Sequence, residues 1–584
     1  MIYRFDEFAV DTLRAEVRLA GKTVPLRRQS FDVLVHLLQR PNRVVSKDEL
    51  LDAVWGNAVV TDGSLKHCLV DIRSAIGDRE HKIVRTVARR GYIFEAAVRK
   101  ESDAADRRMS ILVAPIVDQS VGDDGEYIAD GLTEEIITEV SKAQALRVIA
   151  RASAMRLKGA GEALKDIARG LGVDFILEGT VRKWGDQFRV MLQLNNLDSD
   201  DARWSERFSG NLGDLFRIQD EIARSVAEEL TVQLSASESA IYDEPEDHRV
   251  VESYLRARYE TSKFSKDGLQ QAIRHLINGL DLVGPNARLL GALGHAYAKH
   301  SELGLDPTGE FIAKAAECAE KVFELDPYSA SGHSLLGMVR FYSGALRDAR
   351  APLERSLDAN PTDPDTLLLL GYLYALSGQN ERASQLFDEA LEVDPLTPIN
   401  HAMPGIVAIM EGRYADALPH YRRFLEMDPK NPFAIWTWNY VLLRNDRVDE
   451  ASTAVRELNT EHAGSVLAQL GTSLYHGIRG EPDVAREALT GELRAAAQNS
   501  ELVSRELTHC LALAGETEEA LNWLENTVRI GNVNYPFWSH HNAWVDCLRS
   551  DARFTELMNT VKQEWTSMAS NTDFHKKMPN LRPC

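Results

Sequence analysis

Cysteine is nearly missing from this chain: five residues in 584, at Cys68, Cys318, Cys510, Cys547 and Cys584. An odd number so widely spaced encodes neither a disulfide framework nor a CxxC metal site, and a reducing cytoplasm is the expected compartment. There is no apolar run of about 18 residues and no signal peptide at the start, so no membrane partner is expected. The phosphate-binding patterns GxxxxGK[ST] and GxGxxG after a strand are missing, as are GxSxG and HExxH. The chain is therefore expected not to be an enzyme, to carry no cofactor and to hold no metal.

Positive charge is also scarce, with 67 Lys+Arg against 88 Asp+Glu and a net charge of −21. Its placement matters more than its amount. Residues 1–99 hold 17 Lys+Arg and 13 Asp+Glu, net +4, leaving 50 against 75, net −25, for the rest. A basic head on an acidic body is the asymmetry of a local nucleic-acid footprint on a chain that phosphate otherwise repels. Hydrophobic residues make up 44%, enough for packed cores, and the length calls for three or more domains.

Most telling is the stretch from Lys82 to Ala96, KIVRTVARRGYIFEA, which alternates like a hairpin and concentrates cations. Lys82, Arg85, Arg89 and Arg90 would meet phosphate or groove, Gly91 would permit a turn, and Ile83, Val87, Tyr92 and Phe94 would form the packed face. Upstream, short alternating runs over 2–25 predict a small antiparallel sheet. Phe31, Leu34, Val35 and Leu38 then follow helical spacing, and Ser46 with Glu49 marks the start of a second helix. A third helix starting near Asp62 to Ser64 would bury Leu65, Leu69, Ile72 and Ile76. That leaves Lys66, Val70 and Arg73 on one exposed flank and His67, Asp71 and Ser74 on the other.

Sheet, three helices and hairpin form the order of a winged helix. PNRVVSKDELLDAVWG, SLKHCLVDIRSAIGD and TVARRGY, in sequence over about 2–96, resemble the OmpR/PhoB-type effector domain. The resemblance implies binding of double-stranded DNA, with the third helix in the major groove and the wing on minor groove or backbone. Carried onto this chain, the DNA-binding residues would be Ser64, Lys66, His67, Val70, Arg73, Ser74, Arg85, Thr86, Arg89 and Arg90. The loop of Asn57, Ala58, Val59, Val60 and Thr61 would contact RNA polymerase. Val70 and Asp71 stand where family members often carry arginine, so the family's base preference does not transfer. No phosphoacceptor receiver is seen ahead of the domain, and phosphorelay control through one is not expected.

After a polar linker at 100–108, strand-like and helix-like runs alternate over 109–235, predicting an α/β layer. EYIADGLTEEIITEV and IARGLGVDFILEGTVRKWGDQFRVMLQL resemble the TolB-amino-terminal-like or FlgO-like module. The resemblance implies a fold and a position, not a chemistry. Gly131, Gly159 and Gly161 are read as turn glycines. Asp123, Asp124, Glu126, Asp130, Glu134 and Glu135 are read as an acidic loop and first helical turn, favoured by the helix macrodipole.

A second linker, 236–250, leads into repeats over 251–570, clearest at 330–465. Pro327, Pro361, Pro395 and Pro429 recur every 34 residues. Gly337, Gly371 and Gly405, then Gly344, Gly378 and Gly412, and Ala349, Ala383, Ala417 and Ala451 keep the same period, a tetratricopeptide signature. Stacked repeats form a superhelix whose groove would take a protein or peptide. Phe537, Trp538 and Trp544 are expected to seal its last face, and adjacent His540 and His541 would point apart. The chain thus reads as multidomain: an α+β winged helix (1–99), an α/β middle domain and an all-α tetratricopeptide superhelix, an order that resembles HilA-like regulators. A DNA-binding transcriptional regulator, an activator by family analogy, is expected, with a homo-oligomer or tandem sites supplying a second DNA contact. The alternative is a signalling scaffold whose winged helix does not bind specific DNA.

Overall fold

The computed structural model describes residues 2–569 apart from 6–7, 12–15, 20–21, 25, 39, 41–42, 56–61, 79–80, 88–89, 97–98, 102–107, 121–124, 144, 198, 200, 231–246, 304–305 and 307. Two compact units are formed, Met1–Arg108 and Met109–Cys584.

In the first unit β1 (Ile2–Phe5), β2 (Phe8–Asp11), β3 (Glu16–Leu19) and β4 (Lys22–Val24) make an antiparallel meander. Helix α1 (Arg28–Leu38), strand β5 (Val44–Val45), α2 (Lys47–Trp55) and α3 (Asp62–Ala75) follow. The wing is β6 (Val84–Val87) and β7 (Gly91–Phe94), with β5 on the other side of β7. A last strand, β8 (Arg99–Glu101), pairs with β1, so Lys100 and Glu101 of the segment read as linker are hydrogen-bonded into the sheet. Phe5, Val10, Leu34, Leu37, Leu50, Leu69, Ile72 and Phe94 share one core. Glu49 sits at the expected place in α2: its N–H donates to Ser46 Oγ at 3.1 Å, and its carboxylate pairs with Arg40 and Arg43.

The second unit opens with β9 (Met109–Val113), β10 (Val117–Asp118), α4 (Glu126–Ser141), β11 (Leu146–Val148), α5 (Arg151–Met155) and α6 (Leu164–Gly170). It continues with β12 (Phe175–Trp184), β13 (Gln187–Asn196), β14 (Ala202–Asn211) and α7 (Leu215–Glu229). Sheet order is β11-β9-β12-β13-β14, parallel as far as β12 and antiparallel beyond, with β10 beside β12. Alternation in β13 is regular: Phe188, Val190, Leu192 and Leu194 point inward and are buried. Gly159 and Gly161 have positive φ, as turn glycines do, but Gly131 lies inside α4. It is small because Leu255 of a repeat helix would lie 2.5 Å from its Cβ.

Helix pairs follow from His248. In the clearest repeats Pro364–Leu376 pairs with Asn380–Val393, Pro398–Met410 with Tyr414–Met427, and Pro432–Arg444 with Val448–Glu461. Pro364, Pro398 and Pro432 occupy first helical positions, where a missing N–H costs nothing. Gly344, Gly378 and Gly412 take φ of +75°, +71° and +71° at the turns before Leu346, Asn380 and Tyr414, Asp446 takes +57° at the turn before Val448, and Ala349, Ala383, Ala417 and Ala451 are fully buried.

Module and repeats are packed together. Ala150 N donates to Val393 O at 2.7 Å, Ser153 Oγ donates to Asp394 at 2.6 Å, and Leu396 N donates back to Ser153 Oγ at 2.8 Å. Glu126 stands in the first turn of α4, as expected, with Lys158 at 2.8 Å, but Asp130, Glu134 and Glu135 lie further along the helix and are buried and paired. Asp130 takes Lys158 at 2.7 Å, Glu134 is held between Arg151 and Arg258, and Glu135 accepts from Tyr254 at 2.8 Å beside Arg288. The macrodipole reading fails for Asp130, Glu134 and Glu135: Glu134 and Glu135 lie under the first repeat helices, and Asp130 is buried against Lys158. Asp123 and Asp124 lie outside the described residues.

Candidate nucleic-acid interface

Helix α3 buries Leu65, Leu69, Ile72 and Ile76, each under 4% exposed, and Cys68 with them; burial pushes the Cys68 thiol up. The opposite surface presents Lys66, His67, Val70 and Ser74, all exposed. Asp71 is half-buried and turned toward α1: Ser30 Oγ donates to it at 3.2 Å, with Arg27 Nε at 3.7 Å. Arg73 is turned the other way. Its Nε and Nη2 donate to Val84 O at 3.0 and 2.6 Å, and Nη2 also reaches Thr86 Oγ1 at 2.9 Å. Arg73 therefore fastens the end of α3 to the wing, and Thr86 is its partner.

In the wing, Arg85 forms a two-pronged pair with Glu95 at 2.8 and 2.6 Å, which raises the guanidinium pKa and lowers that of the carboxyl. Arg90 and Lys82 are exposed. Packed residues differ from the expected set. Val84 is fully buried with Tyr92, Ile93 and Phe94, whereas Ile83 and Val87 are only half-buried. The register is set by Asp78, 5% exposed, whose carboxylate accepts the N–H groups of Lys82 at 2.7 Å and Val84 at 2.8 Å. Gly91 does more than turn: at φ +140° its missing Cβ leaves room for the carbonyl of Val45 on β5. Ser64 is described only by its place in α3. Arg89 and the loop Asn57, Ala58, Val59, Val60 and Thr61 lie outside the described residues.

Sequence reasoning passed over Asp78, Glu95, Arg27 and Ser30. Only Asp78 left a signal, following Gly77 at the end of a helical pattern.

The comparisons bear on this unit first. Residues 21–94 match the family described as "Transcriptional regulatory protein, C terminal". The head of this chain is such a domain. Residues 340–402 match the tetratricopeptide repeat family. Among curated proteins the chain is 28% identical over 253 residues to "Putative adenylate cyclase 3" of Rhizobium meliloti, covering 41% of each. It is 26% identical over 353 residues to "Transcriptional regulator HilA" of Salmonella typhi, covering 57% of this chain and 60% of that one. The matched segments thus span two-fifths to three-fifths of these relatives. Among solved structures, "DNA binding domain of E. coli CadC" aligns at 26% identity over 17% of this chain and 96% of that one, with a TM-score of 0.16. A tetratricopeptide repeat protein from Parabacteroides merdae aligns at 17% identity over 45% and 99%, with a TM-score of 0.33.

The repeat domain, the other region expected to bind, takes part of its own chain into the face formed by first helices. Val533 N donates to Leu376 O at 3.0 Å, Asn534 Nδ2 donates to Ala375 O at 2.8 Å, and Tyr414 donates to His541 O. Asn542 meets both Arg444 at 2.9 Å and His509 at 2.8 Å. Phe537 and Trp538 are fully buried, and Trp544 lies over the Arg444 guanidinium at 3.4 Å and against Tyr440. These aromatics therefore seal the inner face along several repeats rather than the last one alone. His540 and His541 occupy one π-helical turn, Phe537–His541, their ring centroids 6.4 Å apart. Among the described residues no group of three or more His, Cys, Asp or Glu could hold a metal, and no helix is long and apolar enough to cross a membrane.

Proposed function

We propose that this chain is a cytoplasmic, sequence-specific DNA-binding transcriptional regulator, and not an enzyme. The observation that carries the reading is helix α3, which presents Lys66, His67, Val70 and Ser74 on a clear face while Arg73 locks it to a cationic hairpin. A helix so exposed fits the major groove, and Lys82 and Arg90 of the wing supply phosphate contacts. Ser64, Arg85, Thr86 and Arg89 complete the proposed DNA-facing set, with Arg85 reaching phosphate by leaving Glu95. The match to transcriptional regulatory domains and the likeness to HilA support the same reading.

Residues 57–61 are assigned to RNA polymerase, and activation follows from that contact. A single winged helix needs a second half-site for tight binding, so a homo-oligomer or tandem occupancy belongs to the reading. The repeats take a protein or peptide in their groove, part of which residues 532–548 already fill. Domain limits are assigned at 1–99, 109–235 and 251–570. Nucleotide cyclisation, suggested by the name of the Rhizobium relative, is not part of this reading; robust turnover of ATP by the purified chain would contradict it.

The test is selection of duplex DNA by the full-length protein at two salt concentrations, with Lys66→Ala and Arg90→Ala beside it. Specific sites should be recovered, and each variant should bind more weakly, its log-affinity against log-salt slope shallower by about one per lost phosphate contact. Equal affinity of all three proteins for any duplex would favour the scaffold.

A further inference from the structure

Val70 is 60% exposed, and it alone among the described residues of Met1–Arg108 is a large hydrophobic side chain so open to water. It stands at the centre of the α3 surface, one turn from Lys66 and one turn from Ser74, on a single stripe with His67 alongside. The two charged neighbours that would otherwise crowd it are drawn aside. Asp71 is bound by Ser30 and Arg27, and Arg73 is bound by the wing. What remains is one isopropyl group ringed by hydrogen-bond donors.

That patch is too small for a protein–protein contact, which buries hundreds of Å² and centres on several apolar or aromatic side chains. It matches a single methyl group. In the major groove the one apolar feature among base edges is the C5-methyl of thymine, and small apolar side chains are what contact it. Lys66, His67 and Ser74 suit the polar edges and phosphates around such a base.

On the reading of this domain as a DNA binder, we propose that Val70 is a specificity-determining residue that packs on the C5-methyl of a thymine and so selects an A·T pair at that position. Covering one methyl group is worth about fourfold in affinity.

The experiment starts from sites selected by the full-length protein from a random duplex library. Each thymine is then replaced singly by deoxyuridine, which removes only the methyl group. Wild-type protein should lose about fourfold at one thymine per half-site, and Val70→Ala should bind the thymine and deoxyuridine duplexes equally. Val70→Thr, which keeps one methyl, should retain part of the difference. Specific binding insensitive to deoxyuridine at every position overturns the assignment while leaving DNA binding intact. So does an undiminished sensitivity in Val70→Ala. Failure of the wild type to select any site overturns the DNA reading itself, and the assignment with it.

Discussion

Asp78 governs the DNA-facing geometry more directly than any of the cations. Its buried carboxylate receives two backbone N–H groups where the chain leaves α3 for the wing, and so fixes which residues of β6 face inward. Asp78→Ala would leave both donors without that acceptor, at about 1–3 kcal/mol each. Thermal unfolding of the amino-terminal unit should register a loss of about 2–6 kcal/mol, with Asp78→Asn losing less because it keeps an acceptor. An unchanged melting curve for Asp78→Ala would mean that the wing's register is held elsewhere. This is also the scale at which the sequence was hardest to read. Spacing put Lys66, His67 and Val70 on an exposed face, and there they are. Nothing in the spacing says that Arg73 turns to Val84, that Asp71 turns to Ser30, or that Arg85 meets Glu95. Those partners come from strands and helices that periodicity cannot bring together.

Elements were more legible because one face of each must be buried and the period announces it. The buried stripe of α3, the alternation of β13 and the 34-residue register all lie where hydrophobic spacing places them. Short elements were missed: α5 has five residues and β8 three, too few for a period to show. Glycines show the same limit, since the letter alone does not tell a turn from a close approach. Gly371 is of the second kind: a Cβ there would lie 2.6–3.1 Å from the ring of fully buried Phe387. Gly371→Ala should therefore destabilise the repeats by about 1–3 kcal/mol through overpacking. Gly491, at the start of helix Gly491–Ala497, has nothing within 4 Å of its Cβ position. Gly491→Ala should stabilise by about 0.4–1 kcal/mol by restricting the unfolded chain. Denaturant unfolding of the two variants should move the midpoint in opposite directions, and a shift of both in one direction would refute the packing account of Gly371.

At the scale of the whole second unit, the chain closes on itself through a buried polar network that no single repeat predicts. Burial opposes charge on Arg505, but Glu501 and Glu506 hold the guanidinium charged, and Glu501 also takes Tyr372 at 2.6 Å and Asn532 at 2.7 Å. His509 lies at the centre, fully buried: Asn542 donates to its Nε2, so Nδ1 carries the hydrogen that goes to Glu506 at 3.0 Å. That assignment makes the ring neutral, and burial lowers its pKa to about 4 despite the attraction of Glu506. In the unfolded chain the same ring titrates near 6.5. Below pH 6.5 the unfolded state therefore binds a proton that the folded state refuses, and folding is penalised progressively until the pH falls below about 4, where both states are protonated. The full penalty is on the order of 3 kcal/mol. The ring's own titration, followed by NMR in the folded protein, should show no protonation between pH 7 and 5, while stability against urea falls over the same interval. Protonating His509 would set a cation between Arg444 and Arg505 and break its acceptance from Asn542. The amide of Val533, which donates across to Leu376 O from the returning segment, should then lose hydrogen-exchange protection as pH falls. A folded-state titration near pH 6.5, or stability flat from pH 7 to 4.5, would show that His509 is not the neutral keystone of this closure.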